Sequence, residues 1–186
     1  MIPAKAIIRI VLATTLILLV PLVAMQFTNE VAWDLADFVV MGALLLGTGF
    51  TYELVARKGN HVAYRFAVGI ALAAALLLVW VNLAVGIIGS EDNLANLLYV
   101  GVLAVGLIGA AIARLEPRGM ARALFATAIA QILVPVIALI IWKPLITSGV
   151  LGLFGLNACF AMLFVGSALC FRRAARERKG STTESR

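Results

Sequence analysis

Six apolar runs, each about as long as a bilayer core is thick, leave this chain almost no choice of architecture. They are Ile10 to Phe27, Leu35 to Val55, Phe66 to Gly89, Leu97 to Ala113, Ala123 to Trp142 and Val150 to Phe171. A helix rising 1.5 Å per residue needs about 20 such residues to cross a hydrocarbon core of about 30 Å. Lipid offers the backbone no water, so every N–H and C=O must be paired within the segment or in a closed barrel. Barrel strands alternate apolar and polar residues, and these runs do not. The expected fold is all-α: one polytopic membrane helical bundle of six transmembrane helices over residues 1–171, then a basic disordered tail over 172–186. Composition agrees, since 63% hydrophobic and 13% charged residues stand against about 45–50% and about 25% in soluble domains.

Orientation follows from the cations. With the N-terminus in the cytoplasm, the inner segments hold Lys5, Arg9, Arg57, Lys58, Arg65, Arg114, Arg118, Arg122, Arg172, Arg173, Arg176, Arg178, Lys179 and Arg186. Of the 15 Lys and Arg, only Lys143 then lies outside. Glu30, Asp34, Asp37, Glu91 and Asp92 fall on the outer side. This partition satisfies the positive-inside rule with both termini in the cytoplasm of a bacterial-type inner membrane. The net charge of +6 is thus a topology signal, and the expected neighbour of the basic tail is anionic lipid rather than nucleic acid. Lys5 and Arg9 before an apolar run also suit a signal peptide, but no A-x-A-like site follows, so the first span is expected to be retained.

The chain matches itself at an offset of 59 residues. Asp34-Leu35-Ala36-Asp37 falls on Asn93-Leu94-Ala95-Asn96, Gly42 on Gly101, Gly47 on Gly106, Phe66-Ala67 on Phe125-Ala126 and Ile70-Ala71 on Ile129-Ala130. Helices two and three therefore read as a parallel repeat of helices four and five. This predicts a core of spans two to five, with spans one and six outside. Small residues such as Gly42, Gly47, Gly101, Gly106 and Gly109 would let its backbones approach, because lipid supplies no hydrophobic drive between helices.

The repeat places two polar pairs, Asp34 with Asp37 and Asn93 with Asn96, at the outer starts of helices. Asp and Asn are favoured N-caps, a partner three residues on can reach back, and the helix dipole favours the acid. Capping is the leading reading. The alternative is an outer cation site with oxygen ligands from Asp34, Asp37, Glu91, Asp92, Asn93 and Asn96. If the repeat holds, Asp34 and Asn93 should be equivalent caps.

Inside the spans, Asn82, Thr127 and Gln131 outline a polar path. Asn82 lies about 9 Å below the outer end of its run, and Gln131 lies near the middle of the fifth span. Pro135 has no N–H, so the Gln131 carbonyl loses its helical partner. A transport path or a kinked structural helix would both look like this. Glu53 and Arg57 are spaced for an ion pair within one helix. Cys159 and Cys170 lie about 16 Å apart along one helix and cannot bond to each other.

Other features argue against an enzyme. The single histidine, His61, is in a loop, so the spans offer no axial imidazole for haem and no His zinc site. No G-x-S-x-G elbow, H-E-x-x-H helix or Gly-rich phosphate loop occurs. No cofactor is expected.

The stretches WDLADFVVMGALLLGTGFTYELVARK, ALLLVWVNLAVGIIGSEDN and NLLYVGVLAVGLIGAAIAR resemble a family of small, uncharacterised multi-pass bacterial inner-membrane proteins. The resemblance covers most of residues 7 to 142. It implies the topology and carries no activity or site. The functional expectation is a non-enzymatic accessory or interaction subunit, self-associating or paired with another membrane protein. The alternative is a transporter or channel for a small cation or polar solute, fed by the outer acidic cluster.

Overall fold

The computed structural model of the chain describes residues 2–28, 31–59, 61–89, 93–142 and 148–184, with backbone alone for 142, 148 and 179–184. Every regular element among the described residues is helical. Six helices are long and apolar enough to cross a membrane: α1 (Ala4–Phe27), α2 (Leu35–Ala56), α3 (Val62–Ala84), α4 (Leu98–Ile112, entered through a 3-10 turn Leu94–Leu97), α5 (Pro117–Trp142) and α6 (Ser148–Glu184). The multi-pass reading of the apolar runs therefore stands. The helices form two compact units, Met1–Arg57 and Lys58–Arg186.

The first unit is the α1/α2 hairpin. At Gly49 an added Cβ would lie 2.7 Å from Ile10 Cγ2, so the missing side chain sets how closely the two helices pack. α1 begins at Ala4, six residues before the apolar run, so Lys5 and Arg9 belong to its first turns rather than to a flanking segment. Glu53 and Arg57 form the expected pair, with Arg57 Nη2 2.6 Å from Glu53 Oε1.

In the second unit α6 packs along both α5 and α3, and α4 packs along α5. This corrects the expectation that the sixth span lies outside the core. The reason is a stripe along α6 of Asn157, Phe160, Phe164, Ser167, Phe171 and Ala174, all buried. Their spacing of three and four residues keeps one seam of the helix against its neighbours. α3 meets it with Ala67, Ala74 and Leu78, each fully buried, and Ser167 Oγ donates to the Ala67 carbonyl at 2.7 Å. On the other side, α4 and α5 pack closely at Gly109, where an added Cβ would lie 2.6 Å from Ala123 Cβ.

Three boundaries differ from the apolar runs. α3 stops at Ala84 rather than Gly89, because Gly86 takes φ +64° and returns its N–H to the Asn82 carbonyl at 3.2 Å, a left-handed C-terminal cap. α5 begins at Pro117, a favoured first helical residue, so Arg118 and Arg122 are helical. α6 continues through the basic segment to Glu184, where a disordered tail from residue 172 was expected. Buried Phe171 and Ala174 and the ion pair of Arg178 with Glu116 hold that segment in the packed unit.

Candidate functional site

The residues singled out in the sequence divide among three places. The first is the start of α2, where Asp34 and Asp37 close a reciprocal capping box. Asp37 N–H donates to Asp34 Oδ1 and Asp34 N–H donates to Asp37 Oδ2, both at 2.9 Å. Each carboxylate thus satisfies a backbone donor that the helix itself cannot.

The matching pair in the second unit works differently. Asn93 Oδ1 accepts from Ala95 N–H at 2.9 Å, opening the 3-10 turn. Asn96 is buried, and its Oδ1 accepts from the N–H groups of Ile87 and Ile88 at 3.1 and 2.8 Å. It pins the end of the α3 loop. Asn82 joins the same knot, its Nδ2 donating to the Asn96 carbonyl at 3.3 Å. Because α3 ends early, Asn82 sits in its last turn, about 3 Å from the helix end, and not 9 Å within a span. Asp34 and Asn93 are both caps, but of unlike elements, so the pairs are not equivalent. Glu91 and Asp92 lie outside the described residues. Among the described residues no three His, Cys, Asp or Glu come together as a metal group would require.

The second place is a fully buried amide cluster in the interior of α4, α5 and α6. Gln131 of α5 and Asn157 of α6 are both 0% exposed, and Tyr99 of α4 is 1% exposed. Gln131 Nε2 donates to Asn157 Oδ1 at 2.9 Å. Asn157 Nδ2 donates to Tyr99 Oη at 3.1 Å and to the Leu153 carbonyl at 2.8 Å. Tyr99 Oη lies 3.2 Å from Asn157 Oδ1, to which it donates. Asn157 is thus the hub of the cluster. Thr127, one turn before Gln131, donates to the Ala123 carbonyl at 2.9 Å and so bonds to its own helix. Gln131 Oε1 is buried and has no hydrogen-bond partner among the described residues. Asn157 and Tyr99 were not picked out from the sequence. The signal was present, since Asn157 heads the aromatic stripe of α6 at the spacing described above.

The third place is a cleft of about 480 Å³ where α3 begins, α4 ends, α5 begins and α6 passes Ala174 and Arg178. Tyr64 is its post. The ring is buried, packs edge-on against Phe171 at 5.2 Å between centroids, and its hydroxyl donates to the Leu115 carbonyl at 3.0 Å. One side chain therefore joins α3, the α4–α5 turn and α6. That turn carries Arg114 at φ 49° and Leu115 at φ 62°, left-handed conformations that cost a non-glycine residue roughly 1–2 kcal/mol each. They persist because their surroundings hold them: Leu115 N–H returns to the Ala110 carbonyl at 3.3 Å and Glu116 N–H to the Ala113 carbonyl at 2.9 Å. No glycine occupies either left-handed position, so the sequence carried no sign of that backbone geometry.

No family model matches the chain, and neither the curated proteins nor the solved structures gave a match.

Proposed function

We propose that the chain is a non-enzymatic multi-pass protein of a bacterial inner membrane, with both termini in the cytoplasm, that acts by associating with a second copy or another membrane protein. The observation that carries this reading is the amide cluster. A solute path needs polar groups free to exchange water for cargo, and here the deepest candidates are engaged with neighbouring helices: Gln131 with Asn157, and Asn157 with Tyr99. Asn82 belongs to a separate loop knot. Buried amides bonded across helices serve as glue.

The outer faces support association. Only 11% and 6% of the apolar windows of α1 and α2 are buried, against 22–39% in the other four helices. Each helix of that hairpin covers little of the other, so much of its apolar surface is left for lipid or for further helices. The orientation rests on the partition of Lys and Arg, and the parallel repeat on the 59-residue self-match; the unlike roles of Asn93 and Asp34 weigh against equivalence of the copies at that one point.

Two measurements test the proposal together. Chemical cross-linking in native membranes should trap a species of fixed stoichiometry above the monomer, and proteoliposomes should pass sodium and potassium no faster than protein-free vesicles. A protein that stays monomeric and uncross-linked overturns the proposal. So does a saturable cation flux that disappears in Gln131→Leu, which would establish the rival transport reading that the unpaired Gln131 Oε1 favours.

A further inference from the structure

The Tyr64 cleft is lined by more positive than negative side chains, and its ion pairs leave some of that charge uncompensated. Lys58, His61, Arg114 and Arg178 line it, with Glu116 as the single carboxylate. Glu116 is taken by Arg178. Glu177, next to the cleft, lies 3.7 Å from His61 Nδ1 and also receives Arg173 Nε at 3.1 Å. Lys58 and Arg114 form no ion pair among the described residues. Both are exposed at the cleft, where the Leu115, Pro117 and Ala174 walls exclude water on one side and strengthen the field of any charge between them.

The backbone adds to this. α3 and α5 both begin beside the cleft, which brings two positive helix ends near it, and the His61 side chain makes no cap on α3. The opposing negative end of α4 is largely quenched, because the Gly109, Ala110, Ala111 and Ala113 carbonyls accept bonds within the turn and the Leu115 carbonyl accepts from Tyr64. A cleft of about 480 Å³ is large enough for a polar headgroup, being within the size range of small-molecule sites. Its position at the ends of membrane helices is also where the phosphate layer of a bilayer lies.

We propose that this cleft binds a phosphate group, with Lys58 and Arg114 as its two cationic ligands. A lipid phosphodiester and a free phosphate present the same oxygens, and Arg and Lys are the side chains suited to them. The inference stands apart from the association reading and does not depend on it. Arg118, on the exposed surface of the same end, does not line the cleft and serves as the control cation.

The experiment uses the full chain in phosphatidylcholine nanodiscs. One arm adds phosphatidylglycerol to the discs, and the other adds inorganic phosphate, with sodium chloride at matched ionic strength as reference. Melting temperature and native mass spectrometry are the readouts. The variants are Lys58→Gln, Arg114→Asn, chosen because Asn tolerates the left-handed backbone at that position, and Arg118→Gln. Loss of either cleft cation should weaken phosphate binding roughly tenfold or more, the scale of one hydrogen bond to a charged group. Arg118→Gln should bind as the wild type does.

A response to phosphatidylglycerol that follows this variant pattern identifies the ligand as a lipid headgroup. The same pattern with inorganic phosphate identifies a free phosphate compound. No response in either arm, or an equal loss in Arg118→Gln, overturns the proposal and leaves the cleft as part of a diffuse basic surface.

Discussion

The two units of this protein differ in how far their polar side chains reach. In the α1/α2 hairpin the side-chain bonds described join residues three or four apart: Asp34 with Asp37, Glu53 with Arg57, and Thr51 with the Gly47 carbonyl. They finish or decorate a single helix. The α3–α6 unit has local bonds too, such as Thr127 to the Ala123 carbonyl, but adds ones that reach across the sequence, joining Tyr99 to Asn157, Ser167 to Ala67 and Tyr64 to Leu115. Local bonds can form in an isolated helix in lipid, whereas long-range ones exist only once helices have met. The second unit therefore has a polar specification of which helices pair, and the first relies on shape and on whatever covers it.

The sharpest way to break this contrast is Asn157→Leu. It removes the hub and leaves the Gln131 amide and the Tyr99 hydroxyl buried without partners. Unsatisfied buried groups cost about 1–3 kcal/mol each, although measured interhelical bonds in membranes average about 0.6 kcal/mol. With two groups orphaned, a loss of about 2–3 kcal/mol is expected in reversible unfolding from mixed micelles. The double variant Asn157→Leu with Gln131→Leu should lose less than the two single losses combined, because it also removes the orphaned Gln131 amide. Strict additivity would show that the two amides do not form one cluster.

Packing gives the next contrast. Gly109→Ala would place its Cβ 2.6 Å from Ala123 Cβ and 3.2 Å from Ala123 Cα, atoms tied to the α5 backbone. The helices must separate, at a cost of about 1–3 kcal/mol. Gly49→Ala meets side-chain atoms of Ile10, Cγ2 at 2.7 Å and Cβ at 3.5 Å, with no backbone atom among its nearest contacts. The Ile10 methyl is stiff but lies near the start of α1, so the melting temperature of this variant should fall by less. Equal falls would mean that the first hairpin is packed as rigidly as the second unit.

The smallest effect belongs to the caps. Asp34→Ala should cost about 1 kcal/mol through the lost capping box, read in the same unfolding assay. Calcium should change the melting temperature of the wild type and of Asp37→Asn alike. A rise confined to the wild type would restore the cation reading of this pair.

The elements that were legible in the sequence are those whose cause is local. Apolar run length gave six helices, Asp34 and Asp37 three apart gave a capping box, and Glu53 and Arg57 four apart gave an ion pair. What escaped was which helix faces meet. In water the buried face of a helix is its apolar face, but in a membrane the lipid-facing side is apolar too, so hydrophobicity does not tell them apart. The informative residues are small or polar ones at interfacial spacing. Asn157 and Ser167, set among Phe160, Phe164 and Phe171, are that signal, and it places α6 at the heart of the second unit. The cleft was harder to foresee. It depends on the left-handed pair Arg114 and Leu115, for which no glycine or asparagine gave warning, and on Tyr64 reaching a carbonyl 51 residues away.

The position of Asn157 also bears on how the chain is made. Gln131 precedes Asn157 by 26 residues, so α5 leaves the ribosome ahead of the side chain that will pair with it. Until α6 packs against α5, the Gln131 amide lacks the Asn157 side-chain carbonyl that accepts from it. A chain in which α6 has not yet packed differs from the folded one by a buried amide without its partner, a cost of the order of one unsatisfied polar group. α6 thus closes a polar bond that α5 leaves open, and Asn157 is the residue that closes it.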